Sequence, residues 1–326
     1  MTVPLRAVTG AEICTAQPNT LIESLLMPSC RTFLVIVLLL MPPAAALADS
    51  KNDANGQGIG LALGSGGAGG LAHIEILRVF DELEIRPARI TGTSVGAVLG
   101  ALYAAGLSAQ EIEDIFRDFA GSELDALSGL ADSGISLRQM LTDGLNGNGL
   151  IDPAAFIEFL AGHVDARTFE ALEIPLAVVA TDFWSGETVV MDEGDLFKAV
   201  HASMAVPGLF EPVEQGDMLL VDGGTSNPLP FALLSGAVER VVAIDVSGTR
   251  DPAVETVGMM DLMFKTFELM QQSLIHEMRL RDEPDLYIKV DTSGIRLLEM
   301  NKLDTILEQA RPAAGQLREK LIQWHE

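Results

Sequence analysis

Cysteine is nearly absent from this chain. Cys14 and Cys30 are the two in 326 residues, and both precede the first long apolar run. The remainder can hold no disulfide framework and no thiolate zinc site, and it tolerates an oxidising compartment. Basic residues are also few, 21 Lys and Arg against 46 Asp and Glu, for a net charge of -25. A surface with that balance repels phosphate backbones, which excludes nucleic acid as a partner. It gains nothing from anionic head groups either, so contact with a membrane or micelle surface has to be apolar and transient. The longest apolar run, Phe33 to Met41, falls short of the roughly 20 residues needed to span a bilayer. What is abundant is ordinary apolar residue content, 48%, which excludes a disordered polymer and supplies a core.

Arg31, the run from Phe33 to Met41, Pro42-Pro43 and Ala46-Leu47-Ala48 have the order of a charged start, an apolar segment and a small-x-small cleavage signal. The expectation is a signal peptide over residues 1–48, cut after Ala48, and an exported, periplasmic or secreted protein. An uncleaved N-terminal anchor is the alternative. Met27 makes a more typical start, which would leave residues 1–26 an over-called gene start. Residues 49–57 are polar and read as a flexible lead-in.

From Gly58 the pattern becomes regular. Short apolar runs predict strands at 59–63, 89–91, 175–180, 188–191, 218–221, 241–246 and 286–290. Leu71, Ile74, Leu77, Phe80 and Leu83 recur at helical spacing, and Val95 to Ala105 reads as a small-residue helix. Ser108 and Glu111 form a capping box before a helix whose core face is Ile112, Ile115, Phe116 and Phe119. Residues 121–150 read as an insertion or mobile cap. The stretch 259–270, rich in Met, Leu and Phe, is either an adaptable lipid-touching surface or a core-covering helix. Strands alternating with helices predict a three-layer α/β/α fold with a mainly parallel central sheet. The domain runs from 58 to 290, and 291–326 forms a helical extension packed on it.

Three segments carry chemistry. Gly92-Thr93-Ser94-Val95-Gly96 is a G-x-S-x-G between a strand and a helix, a sharp turn that exposes the serine hydroxyl at a helix N-terminus. A tight turn with a capping serine is the structural alternative. Gly64-Ser65-Gly66-Gly67-Ala68-Gly69-Gly70 also joins strand to helix, and its unobstructed N–H groups could converge on an oxyanion. It contains a G-x-G-x-x-G but lacks the acidic residue of a dinucleotide site and the Gly-Lys-Ser/Thr of a P-loop. Asp222-Gly223-Gly224 follows a strand, and its carboxylate would point into the same crevice; a plain Asp-Gly turn is the alternative. No metal and no cofactor is expected.

In these segments, together with Ala180-Thr181-Asp182, His201 to Gly208 and Asn227-Pro228-Leu229-Pro230, the chain resembles the bacterial patatin-like phospholipases over roughly residues 58–290. The resemblance implies a serine lipid acyl hydrolase acting on phospholipids or other acyl lipids. Ser94 would be the nucleophile and Asp222 the base, with Gly66, Gly67 and Ala68 lining the oxyanion hole. Gly92 and Gly96 shape the elbow, and Gly223 and Gly224 follow the base. Two positions depart from the family pattern. Ser65 stands where a glycine is usual, and Gly69 where Arg or Lys is usual, which implies weaker attraction for an anionic head group. A non-catalytic lipid- or partner-binding protein stays open. So does an esterase with a Ser-Asp-His triad, in which His276 would follow Asp222 in chain order. His73, just after the glycine loop, is expected to pack against it or hydrogen-bond to it, and Ser203 to be structural.

Overall fold

Strand β1 (Ile59–Leu63) is buried at every residue, as a strand between two helical layers has to be. The structure, a computed structural model, describes residues 58–122, 153–248 and 259–326. The expected signal segment, the lead-in and nearly all of the expected insertion lie outside those residues.

β1 pairs in parallel with β2 (Arg89–Thr93) on one side and β7 (Arg240–Asp245) on the other. β3 (Leu176–Asp182) extends the parallel ladder beyond β2, and β8 (Leu286–Lys289) beyond β7. β4 (Thr188–Met191) and β6 (Met218–Asp222) join β3 antiparallel, and β5 (Val213–Gln215) pairs with β6. The path is β5-β6-β3-β2-β1-β7-β8, with β4 attached to β3. The sheet is therefore mixed, with mostly parallel strands. Side-chain alternation divides its two faces. Leu61, Leu63, Val242 and Ile244 enter one core. Ala62, Val241 and Ala243 enter the other, against Leu229, Phe231, Leu234 and Ile275.

Seven helices are described: α1 (His73–Glu82), α2 (Val95–Ala104), α3 (Ala109–Ser122), α4 (Pro153–Ala161), α5 (Leu196–Ser203), α6 (Met259–Arg281) and α7 (Leu303–His325). Helices cover both faces, giving the α/β/α sandwich that the alternating pattern predicts. All ten residues of α2 are buried, and its small side chains let the helix lie close on the sheet. α3 starts at the expected box, where Ser108 N donates to Glu111 Oε2 at 2.8 Å and Glu111 N donates to Ser108 Oγ at 3.3 Å.

The C-terminal segment differs from a simple helical extension. Helix begins at Leu303, and its buried face, including Ile306, Ala310 and Leu317, joins the same core as α1. Residues 291–299 are irregular and run past the glycine loop.

One register decides where chemistry can occur. β2 pairs with Leu176–Val179, and Thr93 lies opposite Val179. β6 takes up β3 from Ala180, which lies opposite Asp222. β2 runs parallel to β3 and β6 antiparallel, so their carboxyl ends meet head to head at neighbouring residues of β3. Ser94 follows one end, and Asp222 is the other.

Candidate active site

Ser94 links β2 to α2 with φ 56° and ψ -124°. That backbone region is costly for a residue with a Cβ, by about 1–3 kcal/mol. The chain holds it by close packing on both sides. A Cβ on Gly96 would stand 2.2 Å from the Leu63 carbonyl oxygen, and one on Gly92 2.6 Å from the Gly96 oxygen. The elbow can close so tightly because both are glycine. Ser94 caps the N-terminus of α2, where the helix dipole favours negative charge on its oxygen.

Ser203, at the end of α5, fixes the same residue. Its hydroxyl accepts from Ser94 N at 2.9 Å and donates to the Val179 carbonyl at 2.6 Å. This is the structural role expected of it, and it bears directly on the backbone of Ser94. Ser203→Ala would leave two buried backbone groups unpaired, a loss of about 1–3 kcal/mol. A lowered urea midpoint together with a reduced kcat is expected, because the elbow loses its tether. Unchanged values of both would show that the tether is dispensable.

The glycine loop is held by its neighbours. Gly64 N donates to Ile244 O at 3.1 Å, Ser65 N to Pro228 O at 2.9 Å and Ala68 N to Leu297 O at 2.8 Å. The last bond corrects one sequence expectation: the Ala68 amide is occupied by the 291–299 segment, so it is no free oxyanion donor. Gly66 and Gly67 line the cavity beside Ser94. Among the described residues their N–H groups have no hydrogen-bond acceptor. Gly66 has no room for a side chain, since a Cβ would lie 2.2 Å from Val246 O. Behind the loop, Asp245 accepts from Lys289 Nζ at 2.9 Å and from Tyr287 OH at 2.6 Å, which ties the end of β7 to β8.

The Asn227-Pro228-Leu229-Pro230 segment bridges the loop and β2. Besides Pro228 O, the Asn227 oxygen accepts from Thr93 Oγ1 at 2.9 Å, and the Pro230 oxygen from Thr91 Oγ1 at 3.1 Å. The motif works through its carbonyls, a role that its side chains do not advertise.

Asp222 is buried at 1% exposure. Its Oδ1 accepts from Gly224 N at 2.7 Å. Loss of water pushes its pKa up to about 6, against the opposing pull of the Ser94 hydroxyl and Gly224 N–H. The Ser94 hydroxyl acts on the carboxylate without closing a bond of normal geometry on Oδ2, which has no partner among the described residues. Gly223 abuts β3, and a Cβ there would lie 2.2 Å from Val179 O. A Cβ on Gly224 would lie 2.1 Å from Gln271 Nε2 and 3.0 Å from Ser65 Oγ, so two polar side chains crowd this turn. Ser65, the departure from the family pattern, is buried with its hydroxyl unpartnered among the described residues.

His73 holds the loop from below. Its Nε2–H donates to Gly64 O at 2.9 Å, and burial lowers its pKa to about 4, so the ring is neutral. It does not line the cavity. His276 is exposed on α6 and also absent from the cavity wall, so the triad order in the sequence does not become a triad in space. Gly69 is buried, and a Cβ there would meet Thr292 at 3.1 Å. Its small size serves packing, and it does not line the cavity beside Ser94.

Ser94 and Asp222 share one cavity whose wall is mostly apolar, with Phe116 and Phe119 of α3, Leu209, Phe210, Phe267 of α6 and Leu297. Glu268 and Gln271 of α6 add polar groups to that wall. The reading of 259–270 as a core-covering helix does not hold. Phe267 faces the cavity, while Leu262, Met263, Leu269 and Met270 are about half exposed. Sequence reasoning missed Gln271 and Leu297, which sit in segments without a motif.

The family model for patatin-like phospholipase matches residues 61–235. An uncharacterized NTE family protein of Mycobacterium bovis is 32% identical over 210 residues, 64% of this chain and 54% of its own length. Patatin-like phospholipase domain-containing protein 6 of Mus musculus is 31% identical over 206 residues, 62% of this chain and 14% of its own. This chain thus spans about half the length of the first curated relatives it matches. The solved structure of VipD from Legionella pneumophila covers 82% of this chain and 67% of its own, at 13% identity and a TM-score of 0.46. Over the segment that carries the elbow, the glycine loop and the buried aspartate, the chain belongs to the patatin-like phospholipase family.

Proposed function

We propose that the protein is a serine lipid acyl hydrolase working through Ser94 and Asp222. One observation carries this reading: a serine on a strained turn at a helix N-terminus shares an apolar cavity with a carboxylate whose pKa is raised to about 6. A serine hydroxyl needs a base to become a nucleophile. In the first step Ser94 Oγ bonds to the acyl carbon while its proton passes to Asp222. The tetrahedral oxyanion is met by Gly66 and Gly67 N–H. Collapse breaks the ester bond, and the leaving alcohol takes the proton from Asp222. Water then attacks the acyl-serine and gives a proton to Asp222; the acyl–Oγ bond breaks, Ser94 takes the proton back, and a fatty acid leaves. The apolar wall suits an acyl chain. Substrate arrives from a membrane or micelle surface. Among the described residues no helix is long and apolar enough to cross a membrane.

A fluorophosphonate probe tests the reading. Covalent labelling at Ser94, lost in Ser94→Ala, together with fatty acid released from mixed lipids, is expected. A folded protein that takes no label and releases no acyl chain would instead be a lipid-binding member of the family. Export with cleavage after Ala48 is part of the same proposal, supported by the order of residues 31–48; N-terminal sequencing of the exported protein would begin at Asp49.

A further inference from the structure

Trp184 is one of two tryptophans in the chain, and it stands 72% exposed beside Phe183 at 53%. The two rings pack edge to face with centroids 5.0 Å apart, so each is held outward by the other and neither is covered. They sit in the turn between β3 and β4. β3 is parallel to β2, so this turn leaves the sheet at the edge where β2 delivers Ser94. Phe183 lies four positions beyond Val179, the partner of Thr93, which carries the rings about 13 Å further along the chain.

The turn satisfies its own donors, and the carboxylates of Asp182 and Glu187 keep it at a boundary rather than in an apolar interior. Every backbone N–H from Asp182 to Glu187 has an acceptor. Asp182 N donates to Glu187 O, Phe183 N to Leu219 O and Gly186 N to Asp182 O. The Asp182 carboxylate accepts from Trp184 N, Ser185 N and the Ser185 hydroxyl, and Ser185 Oγ accepts from Glu187 N. Such a turn reaches the edge of a low-dielectric layer without stranding its donors. Tryptophan, apolar with a single N–H, is the side chain that settles at lipid–water boundaries. A protein partner of ordinary size would need about 800 Å² from 20–30 residues, whereas the apolar part of this tip is two adjacent rings bordered by Ser185, Gly186 and Glu187.

Charge selects the surface. Residues 182–191 contain Asp182 and Glu187 and no basic residue, on a chain of net charge -25. We propose that Phe183 and Trp184 anchor the protein to an uncharged or zwitterionic lipid–water interface and hold the cavity against it. The anchor extends the reading as a lipid hydrolase, because it supplies that site with its substrate surface.

Full-length Ser94→Ala protein, which cannot degrade the lipid, is mixed with phosphatidylcholine vesicles. Co-sedimentation and a blue shift of tryptophan emission, quenched by brominated lipid, are expected. Phe183→Ser/Trp184→Ser should lower the partition coefficient at least tenfold, and Trp184→Leu should retain most of it. On the Ser94 background, the double variant should lose hydrolysis of vesicle lipid in proportion, while turnover of a monomeric p-nitrophenyl ester stays within twofold. Vesicle binding that survives the double substitution, or appears with anionic vesicles alone, overturns the anchor. Binding that depends on both rings in a protein without turnover of either ester would keep the anchor and overturn the hydrolase reading.

Discussion

Replacing Ser94 with Ala is expected to lower kcat/KM for ester hydrolysis by at least about 10⁴-fold, near 5.5 kcal/mol. Without the hydroxyl no acyl-enzyme forms, and the remaining catalysis is water attack aided by the Gly66 and Gly67 amides. The fold should be indifferent to this change, since Ala meets the same backbone penalty at φ 56°. Glycine at position 94 separates the two effects. It removes the hydroxyl and the Cβ together, so activity should vanish while the urea midpoint rises, as the unfolding free energy gains about 1–2 kcal/mol of relieved strain. Retained turnover in both variants would assign the chemistry elsewhere; an unchanged midpoint in the glycine variant would mean that the turn stores no strain.

Asp222→Asn is expected to exchange activity for stability. Burial raises the folded pKa to about 6 from the ordinary 3.8. The folded state therefore holds the proton more tightly than the unfolded chain does. Its contribution favours folding fully below about pH 4, is lost between about pH 4 and 6, and is absent above. Asn carries no charge to desolvate. At pH 8 the variant should gain up to about 3 kcal/mol over the parent, and the gain should shrink towards zero near pH 4. Parent kcat/KM should rise about tenfold per unit below pH 6 and level off above it, because the ionised carboxylate is the active form. Denaturation at both pH values, with a pH–rate profile, checks this. A variant less stable at pH 8 would show that Oδ2 is better solvated than its burial implies.

Much of this site is legible in sequence because it is local. Gly92 to Gly96 and Gly64 to Gly70 encode their turns in consecutive residues, and Asp222-Gly223-Gly224 ends a strand whose apolar run is short and clear. The strand and helix pattern likewise yields the layers. The rest of the site depends on partners far apart in the chain. Nothing near Ala68 shows that its amide is taken by Leu297, a residue in an irregular stretch assigned to a helix. The antiparallel placement of β6 is equally hidden, since an apolar run carries no direction. Three-residue β5 is too short to have a period. Histidine at 276 follows Asp222 in the order a triad requires, but order says nothing about which way a helix turns its face.

The head-to-head meeting of β2 and β6 on β3 also constrains how the protein acquires activity as it folds. Ser94 and Ser203 are 109 residues apart, and their bond forms beside Val179, on a third segment. No early, locally formed intermediate can hold Ser94 on its tether, because loop closure over that distance comes late. Regain of esterase turnover during refolding should therefore lag behind far-ultraviolet circular dichroism, and make catalysis itself a reporter of long-range strand registration.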